Sequence, residues 1–201
     1  ASETAAAVSQ TGSVAEVADT AMPTVVAITS VSVQEIPNYF RAFGFGYGTQ
    51  QYSSEGSGSG IIVGENDDEL LIATNNHVVS GATTLSVCFV GNDVVNAEEE
   101  TVDMSGSDGD VNVEDAVSAK IKGTDESNDL AVVAVQKSDI PEDTLSQIKI
   151  AQLGNSDDLQ VGEQVVAIGN ALGYGQSVTS GYVSALNRQV SSDDTDGTFI
   201  Q

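Results

Sequence analysis

From Thr24 to Val33 the chain reads Thr-Val-Val-Ala-Ile-Thr-Ser-Val-Ser-Val, rich in β-branched residues and alternating toward its end. That pattern predicts a strand. The same rhythm returns several times. Ile61-Ile62-Val63 and Leu70 to Thr74 flank an acidic turn, Glu65 to Glu69, and together predict a hairpin. Further strands are expected at Leu85–Val90, Ala119–Ile121, Leu130–Val135, Gln147–Ala151, Gln164–Ile168 and Ser177–Leu186. Val14, Val17 and Ala18 have helical spacing, so a short helix is expected before Met22-Pro23. No long amphipathic helix follows. Many short strands punctuated by Gly, Asn and Asp predict an all-β sandwich or barrel.

Two stretches break the rhythm. Residues 34–59 hold Pro37, several aromatics and many glycines, and read as a long mobile loop. Within it, Gly56-Ser57-Gly58-Ser59-Gly60 is followed by an apolar β-type run and lacks Lys-Ser/Thr. A nucleotide-phosphate loop is therefore excluded, and a flexible lead into a close-packed strand is expected instead. Residues 91–118 carry nine acids and no base. They read as a solvated acidic insertion between strands. A calcium loop built on Asp103, Asp108 and Asp110 is the alternative, although the spacing fits no EF-hand. The Gly inside Ser180-Gly181-Tyr182-Val183-Ser184 suggests a bulge or a close backbone approach.

Composition narrows the function. Over 201 residues there are 30 Asp and Glu against 6 Lys and Arg, a net charge of −24. Nucleic acid and anionic membrane surfaces both require clustered cations and are excluded as partners. No run of about 18 apolar residues is present to span a bilayer. Ala1-Ser2-Glu3-Thr4 lacks the order of a signal peptide, so any targeting or anchoring segment is expected outside these residues. An apolar fraction of 40% still permits a real core. The lone Cys88 excludes an intrachain disulfide and a multi-cysteine metal site, and is expected to be a small core residue. The acidity suits an extracytoplasmic or salty setting.

Chemistry concentrates in two places. His77, the single histidine, stands in Thr74-Asn75-Asn76-His77-Val78-Val79, just after an apolar strand. A general base needs a carboxylate on its other ring nitrogen. Asp129, in Ser127-Asn128-Asp129-Leu130-Ala131-Val132, stands where a strand enters the core and could be buried there. Taken singly, each also reads as an ordinary turn residue.

Taken together, the segments resemble the HtrA/DegP family of trypsin-like serine proteases. The resemblance rests on Gly58-Ser59-Gly60, Thr74 to Val79 and Ser127 to Val132. Leu153-Gly154-Asn155-Ser156, Val161-Gly162-Glu163 and Ala167-Ile168-Gly169-Asn170 follow in order. Val178 to Leu186 and Phe199-Ile200-Gln201 complete it. It implies two six-stranded β-barrels with the active site between them. The first would be complete and the second partial here. Residues 1–20 would be an N-terminal extension, 21–150 the first barrel and 151–201 the start of the second.

The resemblance also implies His77 as general base and Asp129 as its orienting carboxylate, with no metal or organic cofactor. The nucleophilic serine belongs to a Gly-Asn-Ser-Gly-Gly segment that in the family follows Phe-Ile-Gln, and no serine here matches it. The expected function is therefore that of an endopeptidase degrading unfolded or damaged proteins outside the cytoplasm, with the 201-residue chain inactive alone. The alternatives are a non-catalytic peptide-binding pseudoprotease and an acidic calcium-binding module. Homo-oligomers such as trimers and a C-terminal PDZ domain are further implications. So is pairing of a half-built second barrel with the strands it lacks. Ala171 replaces a proline common in the family, which should loosen that turn. The aromatic loop 36–52, with Phe40, Phe43, Phe45 and Tyr47, sits where the resemblance implies a regulatory loop contacting neighbouring subunits; read on its own it is a linker with chance aromatics.

Overall fold

A computed structural model describes residues 13–37, 49–89, 116–169, 176–191 and 196–201. A short helix, α1 (Val14–Ala21), leads in. Ser13 accepts from the Glu16 amide while the Glu16 carboxylate accepts from the Ser13 amide, a reciprocal cap that starts the helix at Val14. A 3-10 turn over Met22–Thr24, with Pro23 inside it, follows the helix, and the β-branched run begins at Val25.

Six antiparallel strands then close into a barrel in the order β1-β2-β3-β6-β5-β4. They are β1 (Val25–Pro37), β2 (Thr49–Glu65), β3 (Glu69–Thr74), β4 (Thr84–Phe89), β5 (Val117–Asp125) and β6 (Leu130–Gln136). The strands pair as a 2.0 period demands. Leu70, Ile72 and Thr74 of β3 point inward, while Glu69, Leu71 and Ala73 are less buried. Val26, Ile28, Ile62, Ile72, Val79, Val87, Val133 and Val135 are almost wholly withdrawn from water and form the core. The 61–63 and 70–74 hairpin is found as expected, with a register shift between Ile62 and Gly64. Asn66 shapes its turn by accepting from the Asp68 and Glu69 amides. Lys122 pairs with Glu69 and Lys137 with Glu65, so two of the few cations lie against this acidic turn.

Of the region expected to be a mobile loop, 34–59, the described residues are all strand. β1 continues to Pro37, and β2 begins at Thr49 and runs unbroken through the glycine-rich stretch. Alternation is the reason. Gly56, Gly58 and Gly60 share one face of β2, and the opposite face carries serines. A Cβ on Gly60 would lie 2.7 Å from Ile72 Cγ2 and 2.8 Å from Ile28 Cδ1. A Cβ on Gly58 would meet Val78, and one on Gly56 would meet the Ser30 hydroxyl. These glycines leave room for neighbouring side chains and lend no looseness.

Other expectations shift as well. Residues 117 and 118, assigned above to the acidic insertion, belong to β5. The rest of that insertion through 115, including Asp103, Asp108 and Asp110, lies outside the described residues, as do 38–48 of the aromatic loop and Ala171. Gln147–Ala151 is not a strand. Gln147 ends a helical turn, α3 (Glu142–Gln147), whose first turn carries Glu142 and Asp143 where a helix favours acids. Beyond it, Lys149 and Ala151 donate singly to the Pro23 and Ile62 carbonyls, laying the segment along the barrel without a ladder. Cys88 lies on the outward face of β4, opposite the buried Leu85 and Val87, and is half-buried.

Past residue 151 the described chain forms two two-stranded sheets: β7 (Gln164–Gly169) with β8 (Ser177–Tyr182), and β9 (Arg188–Ser191) with β10 (Asp196–Phe199). β8 pairs with β7 in unbroken register and Gly181 has open space around it, so neither a bulge nor a close approach is present there. Gln176 ties this part to the first barrel by donating to the Met22 and Val25 carbonyls. No helix among the described residues is long and apolar enough to cross a membrane.

Candidate active site

His77 and Asp129 are 52 residues apart in sequence and in contact in space. The contact arises because β3 and β6 are neighbours in the barrel, pairing from Glu69↔Gln136 to Thr74↔Ala131. The chain leaving β3 and the chain entering β6 therefore meet at one rim. There His77 sits on a single helical turn, α2 (Asn76–Val79), rather than in a plain turn. Val78 and Val79 bury into the barrel end and hold that turn down, while Gly81, at φ 72°, lets the backbone leave it.

The His77 Nδ1 lies 2.7 Å from Asp129 Oδ2. The other carboxylate oxygen, Oδ1, accepts from the His77 backbone N–H at 2.8 Å. One carboxylate thus grips both the main chain and the ring of the same residue. An ionised carboxylate can only accept, so the ring proton resides on Nδ1 and the lone pair of Nε2 is left to take a proton. The His77 side chain is 72% exposed and Asp129 44% exposed. The suggestion that Asp129 would be buried is corrected. It occupies a turn at the barrel rim, at φ 51°, and its side chain follows the rim instead of entering the core.

Sequence reasoning passed over three supporting residues. Asn75 donates its side-chain amide to the Asp129 carbonyl at 3.0 Å, and the Asn76 N–H reaches the same oxygen at 3.1 Å. These bonds hold a left-handed backbone that costs a non-glycine residue about 1 kcal/mol or more. Asp125 organises the turn itself. Its carboxylate accepts from the Ser127 N–H and hydroxyl and from the Asn128 N–H and side-chain amide, at 2.6 to 3.2 Å. An Asp followed by Ser and Asn at the second and third positions was the available signal, since such clusters form side-chain-bonded turns.

Both aspartates are held below the usual 3.8. For Asp129 the leading cause is the His77 backbone N–H, followed by the ring. For Asp125 it is the hydrogen bonds from Ser127 and then Asn128. A carboxylate with a depressed folded pKa contributes stability that is complete above its ordinary value and is lost as pH falls through the lower folded value. Melting temperature is therefore expected to fall modestly on acidification below about pH 4, because both carboxylates are partly exposed and solvent-screened. Asp125→Asn should flatten that fall, and an unchanged acid slope would contradict the assignment. No group of metal-binding side chains is found among the described residues.

Residues 58–201 match the trypsin-like peptidase domain family. The chain belongs to that family. Within it the chain is HtrA/DegP-like. It is 34% identical over 197 residues to serine protease Do-like HtrB of Bacillus subtilis (strain 168), covering 97% of this chain and 36% of that protein. It is 34% identical over 183 residues to the periplasmic pH-dependent serine endoprotease DegQ of Escherichia coli (strain K12), covering 88% of this chain and 33% of that one. Among solved structures, HtrA-type protease AlgW with decapeptide is similar at a TM-score of 0.59 and 28% identity, covering 94% of this chain and 51% of that one. The trypsin-like peptidase chain described here spans about a third of the length of the curated relatives it matches. The double-barrel fold, with one barrel closed, is as the resemblance implied.

Proposed function

We propose that this chain supplies the general-base half of an HtrA-type serine endopeptidase acting on unfolded polypeptides outside the cytoplasm. The observation that carries the reading is the 2.7 Å contact between His77 Nδ1 and Asp129 Oδ2, with Oδ1 bonded to the His77 main chain. Residues 21–150 would form the barrel bearing the base. Residues 151–201 would begin the barrel bearing the nucleophile, a serine of the longer protein in the segment after Gln201.

In the reaction, Nε2 of His77 takes the serine hydroxyl proton as the serine oxygen bonds to the scissile carbonyl carbon. Asp129 stabilises the imidazolium and keeps its Nδ1 proton in place. The imidazolium then protonates the leaving amine, the C–N bond breaks, and an acyl-enzyme remains. Water, deprotonated by the same nitrogen, releases the acid and restores the serine. The relatives' names, periplasmic serine endoproteases among them, support serine-dependent protein cleavage and the compartment.

The test is hydrolysis of unfolded casein by the full-length protein, with and without a serine-phosphonylating inhibitor. Inhibitor-sensitive cleavage by the full-length protein, and none by the 201-residue chain, is expected. Casein binding without cleavage by the full-length protein would instead indicate a pseudoprotease. Cleavage by the 201-residue chain that is lost in His77→Ala would overturn its inactivity.

A further inference from the structure

We propose that Gly58 is a positioning residue for His77. The inference rests on the general-base reading of His77 for its functional meaning, but not for its geometry. Gly58 is buried on β2, paired with Ile28 of β1. A Cβ built there would lie 2.5 Å from Val78 Cγ2, 2.9 Å from Cγ1 and 3.3 Å from Cβ. Real Cβ atoms do not approach carbon so closely, so any side chain at 58 displaces Val78. Val78 follows His77 directly, and its buried side chain is one of the two that seat α2 on the barrel.

The next residue of β2 holds the other side of the same segment. The Ser59 carbonyl accepts the buried Thr74 hydroxyl at 2.8 Å. Thr74 ends β3, three residues before His77. Residues 58 and 59 therefore grip the histidine segment on both sides, one by absence of a side chain and one by a main-chain oxygen. Asp129 grips it from the turn that leads into β6. A Cβ at 58 would push α2 away from β2 and shift the imidazole against Asp129, whose turn is shaped from within by Asp125. A displacement of about 1 Å at a catalytic group costs about 10²-fold in rate.

The experiment uses Gly58→Ala, Val78→Ala and the double variant in the full-length protein. Gly58→Ala is expected to lower kcat on a peptide substrate about 10²-fold with little change in KM. Adding Val78→Ala removes the two methyl groups that a Cβ meets and should restore most of the loss. Gly56→Ala is the control on the same strand and face. Its Cβ would meet only the movable Ser30 hydroxyl, at 2.8 Å, and activity should be retained. Thr74→Val should lower kcat and Thr74→Ser should not, which tests the second grip should Gly58→Ala fail to fold.

The single histidine gives a readout independent of proteolysis. Imidazole nitrogen NMR of the 201-residue chain should show the Nδ1–H form in wild type and a mixture with the Nε2–H form in Gly58→Ala. Wild-type kcat and wild-type imidazole signals in Gly58→Ala would overturn the proposal. So would a loss that Val78→Ala fails to relieve. Retained proteolysis in His77→Ala would sink the general-base reading instead, and the imidazole spectra would still decide the positioning.

Discussion

Asp129→Asn in the full-length protein is expected to lower kcat about 10⁴-fold while leaving the barrel folded. The amide oxygen can still accept from the His77 main chain, as Oδ1 does at 2.8 Å. The amide nitrogen would then face Nδ1, where Oδ2 now lies at 2.7 Å. Two donors cannot share one hydrogen bond, so Nδ1 must accept and the ring proton moves to Nε2. That nitrogen then has no lone pair for the serine proton. His77→Ala removes the base altogether and should cost about 10⁶-fold. Steady-state cleavage of unfolded casein, with circular dichroism as a check on folding, measures both. An Asp129→Asn protein within tenfold of wild type would remove Asp129 from the machinery.

The second large effect concerns stability. Ile72→Ala should destabilise the barrel by about 2–5 kcal/mol. Ile72 is 0% exposed at the centre of β3, and its Cγ2 fills the space over Gly60 that a Cβ would otherwise occupy. Truncation leaves a void between β2 and β3 that the paired strands cannot collapse to fill. Urea unfolding of the 201-residue chain measures it. Ile61→Ala on the neighbouring strand, at 44% exposure, should cost less than about 1 kcal/mol. Equal losses at the two positions would mean that the barrel interior is not the source of stability.

Much of this was legible in the residues and some was not, for specific reasons. The β-branched runs exposed most strands, because a strand with one buried face writes its period into the sequence. The part of β2 before Ile61 escaped because its inward positions carry glycine. Where the buried face has no side chain, alternation looks like a polar linker. Gln147–Ala151 misled in the opposite direction, since an extended apolar segment can lie on a barrel with two isolated hydrogen bonds. The order of motifs singled out His77 and Asp129, which the structure brings into contact, while their separate sequences were equivocal. Asn75 and Asp125 went unnoticed because their work is local hydrogen bonding to backbone, which short polar residues perform in countless turns.

The β3–β6 seam that unites the dyad also bears on how the chain folds. β2–β3 and β5–β6 are formed by strands consecutive in sequence, whereas the β3–β6 pairing must bring together residues separated by the whole of β4 and β5. Non-local closures of this kind are slow, because loop entropy is lost before the contacts that reward it are made. Until that seam zips, the histidine and the aspartate are on different hairpins. On the general-base reading, a nascent or half-folded chain carries an inert imidazole, and the base is armed only when the barrel is shut.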